Sequence, residues 1–331
     1  MNANRSTHTL KTGDTTFYQF NAQLGFWGVP NLKHNVFFPQ QPDAPILVEH
    51  NADGNRDRNI CLIQNQKSIV CLGGSHTWGG GVEQTIRYSE RLAQLTQRQV
   101  YNLGHCSVGL DQVCLAVLGM CAKYNPEIII IEQYPWAVHR ILNNYTNGYV
   151  RPHFYLDARL EARLRKVPYV ARSRPIRQII GAYYAFRKEF LEYRGGINLK
   201  EDYDSKIDPM FLLWKTRHYD PMYALVDKIL VVIRDYCTQN DIKLLFGLGA
   251  IQQKLTLHSK SSVVDYDLPR DRLIEILIRN GVAYVDMTSS MLAEHSDKAP
   301  VIFQDGHINA KGHDVFARAL HSDMLVRGWI K

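Results

Sequence analysis

Lys67-Ser-Ile-Val-Cys-Leu-Gly-Gly-Ser-His-Thr-Trp-Gly-Gly-Gly81 begins as an apolar run and breaks into glycines around Ser75. The run Lys67–Leu72 has the length and composition of a strand buried on both faces of a parallel sheet. Glycines beside Ser75 allow a sharp strand-to-helix turn and a close approach by another molecule. Far downstream the chain offers Asp305-Gly-His-Ile-Asn309. A serine hydroxyl becomes a nucleophile once a histidine takes its proton and a carboxylate orients that histidine. Ser75 is therefore the candidate nucleophile, His307 the general base and Asp305 its orienting carboxylate. Each has a plainer reading too: Ser75 as an N-cap, Asp305-Gly306 as a turn, His307 as a surface residue flanking a helix. The stretch is not a Gly-x-Ser-x-Gly elbow, because Thr77 holds the second glycine's place, nor a phosphate loop, because the Gly-Lys-Ser/Thr ending is absent.

Outward from this stretch, apolar strands alternate with helical spacing. Val100–Leu103 reads as a strand leading into the Gly104–Gly109 loop, Asp111–Tyr124 as a helix ended by Pro126, and Glu127–Ile131 as the strongest strand. After a break the alternation resumes with a helix over Met222–Tyr236, a strand at Lys243–Leu248, a helix over Arg270–Asn280, a strand at Val282–Asp286 and a last helix from near Asn309. This pattern predicts an α/β fold of three layers, with a parallel, flavodoxin-like sheet of about five strands between helices. Ser75, the Gly104–Gly109 loop and Gln133-Tyr134 all follow strand ends, where such sheets bind ligands. Residues 1–66 read as an N-terminal arm or small β region, with Thr16–Phe20 and Ile46–His50 extended, Pro39–Pro45 a linker and Asn51–Asn55 a turn. The core is assigned to 67–135 and 220–331. Between them, 136–219 reads as a basic, aromatic-rich insertion that caps or flanks the site, with helical pieces near Ala158–Lys166 and Ile176–Tyr193.

Three blocks carry a family resemblance. Gly73-Gly-Ser-His-Thr-Trp-Gly79, Tyr101-Asn-Leu-Gly-His-Cys-Ser-Val-Gly109 and Asp305-Gly-His-Ile-Asn-Ala-Lys-Gly-His313 resemble, in order, the first, second and last blocks of the SGNH, or GDSL-type, esterase and acyltransferase superfamily. They cover the two ends of one α/β core, and the Asp-x-His ending is closest to the glycan-acetylating branch. The resemblance implies a serine esterase or deacylase acting on an O-acylated carbohydrate or similar polar ester through an acyl-enzyme, without a cofactor. It implies an oxyanion hole with one donor from the Ser75 amide and another from the second-block loop, at Ser107, which stands where glycine is usual, or Gly109. The family's third block is not recognisable in Glu132-Gln-Tyr-Pro-Trp136, where Gln133 is the candidate for the missing amide donor. Trp78, Tyr134 and Trp136 would gather near the site and suit stacking on a sugar ring, although core packing explains aromatics equally well. Two other functions are open: an O-acyltransferase to a sugar hydroxyl using the same residues, and a glycan-binding pseudoenzyme that kept the fold but lost activity with its third block.

The 331 residues, 45% of them hydrophobic, suffice for one α/β domain with an insertion. No apolar run is long enough to span a membrane, and the first residues lack the apolar stretch of a secretory signal, so the expectation is a cytoplasmic protein. The cysteines, Cys61, Cys71, Cys106, Cys114, Cys121 and Cys237, show no paired metal spacing and read as free thiols. Asp305, His307 and His313 match no standard metal site, and His313 reads as structural. The net charge of +7 favours anionic partners. Much of it lies between Arg151 and Arg194, as a solvated helical surface or as a rim for an acidic glycan, a phosphorylated acyl donor or a membrane surface. No nucleic-acid-binding signature is visible. Oligomeric state is left open.

Overall fold

A computed structural model describes residues 7–9, 17–39, 41–59, 66–194, 209–212, 217–252, 255 and 264–331. Cys61 and Thr16 lie outside them. Five strands, Ser68–Leu72, Val100–Asn102, Pro126–Gln133, Lys243–Leu248 and Ala283–Asp286, form one sheet in which every pairing is parallel. Numbered by chain order their spatial order is 2-1-3-4-5, the flavodoxin-like arrangement. The expected fold class is thus present.

Alternation along the central strands explains the three layers, because successive side chains leave opposite faces. Val70, Leu72, Ile129 and Ile131 point into one apolar cluster, with Val117 of helix Leu110–Met120 and Val226 and Ile229 of helix Asp220–Gln239. Ile69, Cys71, Ile128 and Ile130 point into the other, with Leu92 of helix Tyr88–Thr96 and Phe316 and Leu320 of helix Ala310–Val326. Both faces being covered, the strands are continuous apolar runs and not alternating ones.

The N-terminal region forms a hairpin, Tyr18–Asn21 with Gly25–Gly28, and a small sheet in which Lys33–Phe38 lies between Thr7–Thr9 and Gln41–Glu49. Phe26, Val36 and Val48 join the first cluster, so this sheet extends the core. The linker expected at Pro39–Pro45 is corrected: Gln41–Glu49 is a strand that runs through most of it. Pro42 and Pro45 fit because this is an edge strand, where a missing N–H breaks no ladder. Asn51–Asn55 does turn, with Asn51 Oδ1 accepting from the amides of Asp53 and Asn55.

In the insertion, Arg174–Arg194 is a helix, but the helical piece expected at Ala158–Lys166 is not. Ala162–Arg165 is a strand paired antiparallel with His153–Leu156. The Asp157 carboxylate sets the turn by accepting from the amides of Arg159 and Glu161 and pairing with Arg163, while Leu160 takes a left-handed φ of 58°. Local side-chain capping of this kind competes with helix formation.

Candidate active site

Ser75 opens a four-residue helix, Ser75–Trp78, directly after the first core strand. The turn before it depends on glycine. Gly73 has φ +155°, and a Cβ there would lie 2.3 Å from Thr77 Oγ1 and 2.7 Å from Glu132 Oε2. Glu132, buried near the end of the third core strand, takes hydrogen bonds from the Gly74 amide (3.1 Å) and the Thr77 hydroxyl (3.1 Å) through one oxygen. Burial pushes its carboxyl up, against the pull of those two donors and of Arg140. The far end of the helix is closed by Gly79, φ +87°, whose amide and that of Gly80 donate to Ser75 O. Buried Arg56 grips this loop by donating to the carbonyls of Trp78, Gly79 and Val82.

Asp305 and His307 lie on a closed turn before the last helix. Gly306 takes φ +88°, the Phe303 amide donates to His307 O (2.7 Å), and Ile302 bridges to Ile308. Gln252 braces this loop, its Nε2 donating to Gln304 O (2.9 Å) and its own amide to Tyr134 Oη (2.7 Å). Asn309 caps the helix by accepting from Gly312 N. His307 Nδ1 lies 2.9 Å from Asp305 Oδ2, and His307 N donates to Asp305 Oδ1 at 3.1 Å. The two-residue spacing therefore lets one carboxylate hold both the ring and the backbone of the same histidine. With Nδ1–H donating to the carboxylate, Nε2 is free to accept, and it lies 2.8 Å from Ser75 Oγ. Ser75 meets His307 and Asp305, more than two hundred positions downstream, in one chain of hydrogen bonds.

The second-block loop is drawn against the serine helix. A Cβ on Gly104 would lie 2.5 Å from Trp78 N, and Asn102 donates through Nδ2 to Thr77 O (2.6 Å) and accepts from Gly104 N (2.9 Å). Ser107 holds φ +64°, the conformation that glycine adopts at least cost. Gly109 and Gln133 line a small cavity shared with Gly73, Gly74 and Arg140. The Gln133 Nε2 donates to Tyr134 O at 2.9 Å.

Tyr134 and Trp136 line the cleft that holds Ser75 and His307, a space of about 130 Å³. Trp78 does not. It is 1% exposed, packed with Phe17 and Phe38 and covered by the Arg56 guanidinium at 4.7 Å, so a substrate-binding place for it is corrected to a core one. In a helix this short, positions 75 and 76 face out while Thr77 and Trp78 face in.

His76 was not singled out by sequence reasoning. Its ring stacks between Tyr134 (5.0 Å) and His307 (5.2 Å), and burial, then the neighbouring His307, hold it well below the ordinary histidine range. His313 is buried and structural, accepting from Tyr88 N through Nδ1. Cys106 is half-buried, its thiol pushed up to about 11 by burial. Among the described residues no group of His, Cys, Asp and Glu could hold a metal ion, the cysteines at 71, 106, 114, 121 and 237 are free, and no helix is long and apolar enough to cross a membrane.

No protein-family model and no curated protein matches the chain. Solved structures similar to it include a member of the lipolytic protein G-D-S-L family from Veillonella parvula DSM 2008, 12% identical, with a TM-score of 0.43 over 79% of this chain and 99% of that one. An acetyl xylan esterase is 12% identical, with a TM-score of 0.44 over 77% of this chain and 98% of that one. A two-domain esterase active on acetylated mannans is 12% identical, with a TM-score of 0.41 over 79% of this chain and 49% of that one.

Proposed function

We propose that this protein is a serine esterase of the SGNH type that cleaves an O-acyl ester, with Ser75 as nucleophile. The observation that carries the reading is the continuous chain Ser75 Oγ–His307 Nε2 (2.8 Å) and His307 Nδ1–Asp305 Oδ2 (2.9 Å). Ser75 Oγ attacks the ester carbonyl as His307 Nε2 takes its proton, and Asp305 stabilises the imidazolium that forms. The tetrahedral oxyanion is met by the Ser75 amide and by amides of the loop carrying Ser107 and Gly109. His307 then gives its proton to the departing alkoxide, leaving acyl-Ser75, and water repeats the sequence to release the acid.

Hydrolysis is favoured over transfer to a sugar hydroxyl by exposure: the side chains of His307 and Asp305 are 30% and 42% accessible, so water reaches the base. A binding-only role fits poorly with a serine already in hydrogen-bond contact with an oriented histidine. Tyr134 and Trp136 in the cleft suit a carbohydrate alcohol, since sugar rings stack on aromatic faces. The test is turnover of 4-nitrophenyl acetate and of acetylated oligosaccharides by the native protein and Ser75→Ala. The reading predicts a loss on the order of 10⁴ or more in kcat; equal turnover by the two proteins would reject it.

A further inference from the structure

Resting on that reading, we infer that the Arg140 side chain supplies the third donor of the oxyanion hole. The third-block amide of the family has no counterpart after Ile131, and Gln133, the substitute expected from the sequence, is held by one Nε2 hydrogen bond on the Tyr134 carbonyl. Arg140 stands where a donor is needed. A Cβ on Gly74 would lie 3.2 Å from Arg140 Nη1, so the guanidinium rests on the backbone immediately before Ser75. The same Nη1 reaches Val108 O in the second-block loop at 3.5 Å. His307 approaches the serine helix elsewhere, with its Cδ2 3.3 Å from a Cβ placed on Gly80. Arg140 lines both the cleft with Ser75 and His307 and the cavity with Gly74, Val108 and Gly109.

Its donors are largely unspent. A guanidinium carries five N–H groups, and among the described residues Arg140 makes one side-chain hydrogen bond, the long one to Val108 O. Its position is nevertheless held. The ring of Trp136 lies 5.6 Å from its Cζ, and its own carbonyl accepts from Arg151 Nη1 (2.9 Å). Arg151 in turn is locked on Asp111 at 2.7 Å, both side chains fully buried. A charged donor fixed before the reaction stabilises a developing oxyanion more than a neutral amide does, because charge-assisted hydrogen bonds are roughly twice as strong.

The experiment compares kcat and KM for 4-nitrophenyl acetate in native protein, Ser75→Ala, Arg140→Ala, Arg140→Lys and Gln133→Ala, with and without added guanidinium chloride at non-denaturing concentration. The inference predicts that Arg140→Ala loses on the order of 10²–10³ in kcat with KM nearly unchanged. Arg140→Lys should fall between the two, and guanidinium should restore part of the Arg140→Ala rate. Native-like kcat in Arg140→Ala, a larger loss in Gln133→Ala, or a loss that neither lysine softens nor guanidinium restores would overturn it. If the native protein shows no turnover that depends on Ser75, the esterase reading itself has failed and this inference falls with it.

Discussion

Replacing Glu132 tests whether the turn before Ser75 is held by a buried carboxylate. Glu132 Oε2 accepts from Gly74 N and Thr77 Oγ1, both at 3.1 Å. Hydrogen bonds to a charged group contribute about 1.5–3 kcal/mol each. Against their sum stands the recovered cost of burying the carboxylate, which is what raises its pKa. A net loss of about 2–4 kcal/mol is expected for Glu132→Ala, and about 1 kcal/mol for Glu132→Gln, which keeps an acceptor for Gly74 N. An unfolding entropy of about 2.1 cal/mol/K per residue over 331 residues gives ~0.7 kcal/mol/K. The Ala variant should therefore melt roughly 3–6 °C below the native protein in calorimetry. Its serine should also acylate more slowly, as a displacement near 1 Å costs up to about 10²-fold. An Ala variant as stable as the native protein, with native acylation, would refute the positioning role.

Two further outcomes follow from the same geometry. His105 and His313 are held down to about 3 by burial, and each accepts a backbone hydrogen bond that protonation would forbid, from Gly28 N and Tyr88 N. A histidine whose folded pKa is depressed contributes stability present above its unfolded pKa near 6.5 and lost as pH falls toward the folded value, by about 1.4 kcal/mol per pH unit. Asp57, raised to about 6 by burial, opposes this trend. The effect is therefore read as a difference: between pH 4 and 6, His105→Asn should lose less stability per pH unit than the native protein in urea titrations, and identical slopes would contradict the assignment. Gly306→Ala places a Cβ at φ +88° and 2.7 Å from Gln252 Oε1, so it should displace Asp305 and slow acylation of Ser75 by tenfold or more, on the order expected for misplacement; an unchanged rate in a stopped-flow assay would count against the brace.

The core was legible because its strands are buried on both faces. Glu127–Ile131 offers consecutive isoleucines to two apolar clusters, a pattern few other structures produce. The serine, histidine and aspartate could be singled out because glycines at 73 and 306 mark turns that ordinary residues resist. What escaped was direction. Nothing in Ser75-His-Thr-Trp78 says that Trp78 turns inward while His76 turns toward His307. Glu132 did carry a signal: a carboxylate in an otherwise apolar strand end must find donors, and its donors are the turn and the helix of Ser75. Arg140 carried none, since it stands outside the basic segment that begins at Arg151 and its place depends on how the chain folds back over Val108. The 162–165 strand was hidden for a related reason, because the side-chain turn at Asp157 overrides a helical spacing.

Labelling with a fluorophosphonate probe, followed by intact mass, shows whether Ser75 is an activated nucleophile. The account predicts a single adduct on the native protein, none on Ser75→Ala and a strongly slowed one on His307→Ala. An adduct that persists in Ser75→Ala, or a native protein that takes up no probe, would contradict it.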